Sequence, residues 1–255
     1  PHNLHARMVS EAINFGKNVF VEKPLAIELD ELKGLYRTVK DSNNSSRLFV
    51  GFNRRYSPIA LDIKKKLNMR IAPLVCSYRV NAGFIPNDHW TQNKEIGGGR
   101  IIGEACHFID FLQFITDSVP VAITGESISG SNGSRYSPND NVNLSINFRD
   151  GSIANILYCS QGSKAFSRER VEIFSGESVY VIDDFRHIET VVMGKRRKKK
   201  YSGQDMGYRN ELEYLYQEHR DNYEQIIEGY FYTSLAAIKA VDSIESSRRI
   251  EIDIS

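Results

Sequence analysis

From Leu4 onward the apolar residues Leu4, Met8, Val9, Ala12, Ile13 and Phe15 recur at helical spacing, and Gly16 supplies a C-terminal stop. Residues 18–22 follow as a short apolar run, which after a helix suits a buried parallel strand. Pro24 ends that strand, and residues 27–39 return to helical spacing with Glu28, Asp30 and Glu31 in the first turn, where the helix dipole favours negative charge. Residues 41–46 are a polar loop and 47–51 read as a second strand. Pro58 opens a helix to about Leu67, and Pro73 breaks the pattern, which places a domain boundary at 68–73.

Beyond the boundary strands follow strands. Val142, Leu144, Ile146 and Phe148 share one face, Asp150-Gly151 supplies a two-residue turn, and 153–158 pairs back. Residues 171–174, 178–182 and 190–193 continue the series, with Ser175-Gly176-Glu177 as another tight turn. This predicts a largely antiparallel sheet of five or six strands with helices on one face only. Two helices, 208–222 and 234–247, finish the chain, and 249–254 alternates as a short edge strand. The fold class is α+β: the last part of a doubly wound parallel sheet over 1–72, then a larger, mostly antiparallel sheet domain over 73–255.

Hydrophobic residues make up 41% of the 255 and charged residues 25%, which is ordinary for a globular protein and disfavours disorder. The apolar runs are too short to span a bilayer and no segment reads as a signal peptide, so a cytoplasmic protein without a membrane partner is expected. Cys76, Cys106 and Cys159 are few and widely spaced, as buried free thiols would be; no metal site is expected. A formal charge of +1 argues against a nucleic-acid partner, and the basic stretch Lys195–Lys200 is expected to be a solvated hairpin tip. Residue 1 is Pro and the chain opens inside what reads as a loop entering a helix, so it is read as a fragment.

Val21-Glu22-Lys23-Pro24 stands where a strand leaves a parallel sheet, and such strand ends line the crevice in which ligands bind. A lysine there can polarise a hydroxyl or carbonyl and share in proton transfer. Asn53, Arg54, Arg55 and Tyr56 form a polar cluster just after a strand, either a binding loop or a salt-bridged joint. Trp90 and Arg100 flank the run Gly97-Gly98-Gly99, and the indole could face a pyranose ring or pack in the core. His107 could equally pack beside Phe108 and Phe111, and Asp110 reads as a helix-surface carboxylate.

The stretch Phe15-Gly-Lys-Asn-Val-Phe-Val-Glu-Lys-Pro-Leu25 resembles the glucose-fructose oxidoreductase, inositol dehydrogenase and MocA family, whose hallmark is this tripeptide after a strand introduced by Gly-Lys-x-Val. Three further stretches are similar to the family's: Pro1-His-Asn-Leu-His5, Val50-Gly-Phe-Asn-Arg-Arg-Tyr-Ser-Pro58, and Gly97-Gly-Gly-Arg-Ile-Ile-Gly-Glu-Ala-Cys-His-Phe-Ile-Asp110. The resemblance implies the end of a Rossmann-type dinucleotide-binding domain, NAD or NADP as cofactor, and hydride transfer at a hydroxyl or carbonyl of a sugar, cyclitol or nucleotide sugar.

It further implies catalytic roles for Lys23, His107 and Glu104, with His107 exchanging the hydroxyl proton and Lys23 hydrogen-bonding the same oxygen. Asn3, His5, Glu22, Lys23, Pro24 and Arg54 would contact the cofactor; Asn53, Arg55, Tyr56, Trp90, Arg100 and Glu104 would contact substrate. Gly103 stands where the family usually has Asp, four residues before the histidine, and Glu104 is the nearest carboxylate, placed to orient His107 or bind a sugar hydroxyl. The second domain's open sheet face would support a homo-oligomer.

No Gly-x-Gly-x-x-Gly occurs anywhere in the chain, so by itself it is expected to bind cofactor weakly or not at all and to be inactive. The alternative is a non-catalytic sugar-binding or scaffolding relative, and a third reading makes the basic stretch a binder of acidic polymers.

Overall fold

A computed structural model describes residues 1–42, 46–129, 136–216 and 223–254. Helix α1 (His5–Asn14) buries Ala6, Val9 and Ile13 along one stripe, and Gly16 leaves it in the left-handed conformation at φ +69°. Strand β1 (Val19–Val21) pairs in parallel with β2 (Leu48–Val50), joined by helix α2 (Leu29–Asp41), whose Leu32, Leu35 and Val39 face the core. This helix-and-parallel-strand unit is the doubly wound portion that the spacing predicts. Residues 43–45 of the predicted polar loop lie outside the described residues.

A 3₁₀ turn, Asn53–Tyr56, leads into α3 (Pro58–Leu67), where Ser57 caps the helix by accepting from the Ala60 amide at 3.2 Å and Pro58 opens it. The rest of the chain builds a nine-stranded sheet in the order β10-β9-β8-β7-β3-β6-β5-β4-β11. Its strands are β3 (Val75–Asn81), β4 (Pro120–Ser127), β5 (Asn141–Phe148), β6 (Ile153–Cys159), β7 (Glu169–Ser175), β8 (Ser178–Asp183), β9 (His187–Val192), β10 (Lys195–Lys200) and β11 (Ile250–Glu251). Among the described residues of this sheet β3 with β6 is the one parallel pair, and the others are antiparallel.

The expected count of five or six strands is therefore too low. β3 does alternate, with Cys76, Tyr78 and Val80 buried and Ser77 and Arg79 between them, but no hairpin turn adjoins it and its partners β6 and β7 lie far along the chain. The basic stretch is a correction of a different kind. It is not a hairpin tip but the edge strand β10 itself, and the turn falls at Met193 and Gly194, both at positive φ. Six exposed cations hide a strand from any apolar pattern and also blunt an exposed sheet edge; Arg196 and Lys198 lean on Glu189 of the neighbouring strand.

One face of the sheet is covered by α4 (Cys106–Thr116) and α6 (Tyr223–Ser246), which pack on each other and supply Phe108, Phe111, Leu112, Tyr230, Phe231 and Leu235 to a single core. Helix α6 begins earlier than the sequence reading has it. The remaining helix, α5 (Tyr208–Leu215), is shorter than predicted, and 217–222 lie outside the described residues. On the sheet's other face Val75, Ile153 and Phe174 are exposed in one cross-strand row. No helix among the described residues is long and apolar enough to cross a membrane. Cys76 and Cys106 are buried free thiols and Cys159 is half-buried.

Candidate active site

A cleft of about 560 Å³ opens where the carboxyl end of β1, the 53–56 turn, the glycine run and the start of β7 converge. Lys23 enters it directly from β1, and its Nζ donates to the carbonyl of Gly103 at 2.8 Å. That carbonyl belongs to a π-helical turn, Ile101–Ala105, which continues straight into α4. Widened turns of this kind occur often at functional sites. Glu22 is exposed, with its carboxylate over Gly51: a Cβ there would stand 3.0 Å from its Oε2, so glycine gives the acid its place.

The segment before α1 is stitched to the same wall. His5 Nδ1 donates to the Pro24 carbonyl at 2.8 Å, His2 Nδ1 to the Gly97 carbonyl at 2.7 Å, and the Asn3 amide to the Ile96 carbonyl at 3.2 Å. Trp90 is 44% exposed, and its indole meets the His2 ring edge-on with centroids 4.8 Å apart. It is thus a wall of the cleft rather than part of the core.

His107 is the second residue of α4 and lines the cleft, its ring edge-on to Phe52 at 6.1 Å. Among the described residues its buried Nδ1 has no hydrogen-bond partner. Burial, reinforced by the charges of Arg54, Lys23 and Arg168, holds its pKa well below the ordinary imidazole value, so the ring is neutral.

Glu104 does not meet His107. Its carboxylate accepts from Arg100 Nε at 3.1 Å and from the Tyr158 hydroxyl at 2.8 Å, and Arg100 is itself buried, donating to the Gly83 carbonyl at 2.7 Å. Glu104 therefore reaches the cleft as a neutralised, fixed group. Arg54 is similarly engaged: it grips Glu169 through two bonds of 2.9 and 2.6 Å while its guanidinium lies over Phe108 at 5.1 Å. Asn53 lines the cleft and donates to the Met206 carbonyl at 2.8 Å.

Arg55 and Tyr56 are not brought to this cleft. Arg55 turns to the other side of the turn and forms a buried bidentate pair with Asp110, donating from Nε to Oδ2 at 2.9 Å. Tyr56 stacks near Tyr214 at 5.0 Å and faces a separate hollow. Asp110, expected on the helix surface, is 0% exposed because Arg55 supplies the charge that lets a carboxylate enter the core. Sequence reasoning passed over His2, Arg168 and Tyr208, which also line the cleft. His2 lay inside a stretch already noted; the other two carry no local signal, since tertiary pairing alone places them.

Residues 1–52 match an oxidoreductase family with an NAD-binding Rossmann fold, and residues 71–179 match the GFO/IDH/MocA C-terminal domain. Levoglucosan dehydrogenase of Pseudarthrobacter phenanthrenivorans is 33% identical over 122 residues, covering 45% of this chain and 31% of the relative. The NAD(+)-dependent scyllo-inositol 2-dehydrogenase of Bacillus subtilis is 24% identical over 200 residues, 77% of this chain and 57% of that enzyme. A solved levoglucosan dehydrogenase in complex with NADH and levoglucosan superposes with a TM-score of 0.75 at 21% identity, covering 99% of this chain and 78% of that one. The matched stretch thus spans 31% of one of these curated relatives and 57% of the other.

Fold and cleft together define an α+β protein whose strand-end lysine faces a histidine-bearing helix across a polar crevice. The chain belongs to the glucose-fructose oxidoreductase, inositol dehydrogenase and MocA family.

Proposed function

We propose that this chain provides the catalytic and substrate-binding part of an NAD(P)-dependent oxidoreductase acting on a hydroxyl or carbonyl of a sugar or cyclitol. The observation that carries the reading is the convergence of Lys23, from the carboxyl end of β1, with the neutral His107 of α4 on one cleft. The residues present suit the nicotinamide end of the cofactor: Glu22 over Gly51 can accept from ribose hydroxyls, and Asn3, His5 and Pro24 support the same wall. They do not suit the diphosphate, because the chain has no glycine-rich phosphate turn. Cofactor should bind this chain more weakly than a protein joining it to such a turn.

When bound, the nicotinamide would supply or accept the hydride. In the oxidising direction His107 takes the proton of the substrate hydroxyl as the adjacent carbon loses its hydride. Lys23 donates to the same oxygen and stabilises the negative charge that develops there. Burial and three neighbouring cations keep the resting ring unprotonated, which is the form the oxidising direction needs; in the reducing direction His107 would have to be protonated first. Glu104, Arg100 and Arg54 hold the cleft's shape through their ion pairs, while Asn53 and Trp90 contact the sugar.

On this reading residues 1–72 belong to the dinucleotide-binding domain and 73–255 to the substrate domain, with the apolar row Val75, Ile153 and Phe174 as a self-association surface. The test is nicotinamide absorbance with levoglucosan, scyllo-inositol, myo-inositol and nucleotide sugars. Turnover of any of them supports the reading. Binding of a polyol without turnover in the presence of saturating cofactor would favour a non-catalytic sugar-binding relative, for which Gly103 in place of a carboxylate is the supporting feature.

A further inference from the structure

His2 is held in one tautomer. Its Nδ1 faces the Gly97 carbonyl at 2.7 Å, and a carbonyl oxygen can only accept, so the proton sits on Nδ1. Burial is the main influence on the ring and lowers its pKa; the bond to Gly97 opposes this and the charge of Lys23 adds to it. A neutral ring protonated at Nδ1 keeps its lone pair on Nε2. Among the described residues nothing hydrogen-bonds to that nitrogen, and the ring lines the cleft.

The ring's position depends on Gly103. A Cβ at residue 103 would stand 3.2 Å from His2 Cε1 and 3.5 Å from Nδ1, so a side chain there would push the imidazole back by a few tenths of an ångström from the π-helical turn. The carbonyl of this same residue receives Lys23 Nζ. A donor that cannot accept and an acceptor that cannot donate therefore flank one residue. Two carboxylates of the cleft are committed, Glu104 to Arg100 and Tyr158 and Glu169 to Arg54 and Tyr78, while Asn53 Oδ1 and His107 Nδ1 have no partner among the described residues. A polyol hydroxyl, which donates one bond and accepts others, matches such a pair.

We propose that His2 Nε2 accepts a hydrogen bond from a hydroxyl of the polyol substrate, making His2 a specificity-determining residue of the cleft. The inference rests on the sugar-site reading given above.

The experiment pairs two substitutions with two readouts. His2→Asn keeps a donor near the Nδ1 position and loses the acceptor, whereas His2→Gln reaches the Nε2 position with an amide oxygen. Levoglucosan and scyllo-inositol serve as probes. For the better-bound probe, His2→Asn should weaken binding about tenfold, as loss of one hydrogen bond would, and His2→Gln should stay within about threefold of wild type. Long-range imidazole ¹H–¹⁵N correlation should show Nε2 unprotonated and moved to lower frequency by the probe. Wild-type affinity in His2→Asn, or a proton on Nε2, overturns the inference and leaves the sugar-site reading standing. Failure of both probes to bind wild-type protein overturns the two together.

Discussion

Lys23 Nζ donates to the carbonyl of Gly103 at 2.8 Å, tying the end of β1 to the turn that leads into the helix bearing His107. The bond spans two parts of the fold, so on the proposed mechanism Lys23 would position the turn as well as polarise the substrate oxygen. Replacement by Met should leave the fold intact and cut turnover by about 10²-fold or more, the scale expected when a proton-handling group is lost. Steady-state kinetics alongside circular dichroism would check this; a Lys23→Met enzyme with wild-type turnover would remove the lysine from the mechanism.

Arg55 donates two hydrogen bonds to Asp110, whose carboxylate is fully buried. Removing one partner strands the other, so Arg55→Ala should cost about 3 to 5 kcal/mol. Arg55→Met with Asp110→Leu should recover most of that loss, since an apolar pair of similar volume avoids the desolvation penalty. Urea denaturation of the single and double variants measures both values. A double variant no more stable than the single one would contradict the argument.

Much of this architecture is legible in the residue pattern, and the failures have identifiable causes. The first helix, the strand before Lys23 and the helix start at Pro58 are local, and each falls where spacing puts it, although of the apolar set read for the first helix Val9 and Ile13 are buried while Leu4, Met8 and Phe15 are exposed. β10 is invisible to hydrophobic patterning because an edge strand exposed on both sides needs no apolar face. The adjacent cations Arg54 and Arg55 look alike in sequence yet diverge: one wall of the turn meets Glu169 and the cleft, the other meets Asp110 and the core. That choice is made by partners more than 50 residues away, which no local window contains. His2 is likewise legible only as part of a motif, since its place against the turn at Gly103 is set by residues about 100 positions away.

Glu211 on α5 is 5% exposed, and among the described residues its Oε1 has no partner. Burial, with the neighbouring carboxylates of Glu22 and Asp110, pushes its pKa from an ordinary 4.5 to about 8. Between those values the folded protein holds a proton that the unfolded chain has released. Stability from this group is therefore full below pH 4.5 and is lost as pH rises through 8, with a slope approaching about 1.4 kcal/mol per pH unit. Glu211→Gln should flatten that slope in urea midpoints measured between about pH 5 and about pH 8. An unchanged slope would mean that Glu211 ionises normally.

Gly207 enters α5 at φ +89°, and a Cβ there would lie 2.3 Å from the Asn53 carbonyl oxygen and 2.5 Å from the Ser57 amide. Both obstacles are backbone. Gly207→Ala should therefore destabilise by at least about 2 kcal/mol, from strain and overlap combined. It should also loosen the Asn53 wall of the cleft and weaken polyol binding. A thermal melt and a binding isotherm would check the two effects; an alanine variant matching wild type in both would contradict this docking of α5.

The central claim is that Lys23 and His107 assist hydride exchange with a sugar-type substrate. The most direct test follows deuterium from C4 of labelled reduced nicotinamide into the carbonyl carbon of a polyol-derived ketone, using wild type, Lys23→Ala and His107→Ala. The account predicts label on that carbon with wild type and a loss of about 10² to 10⁴ in its rate of appearance in each variant. Bound nicotinamide and bound ketone with no transfer of label, or transfer indifferent to both substitutions, would contradict it.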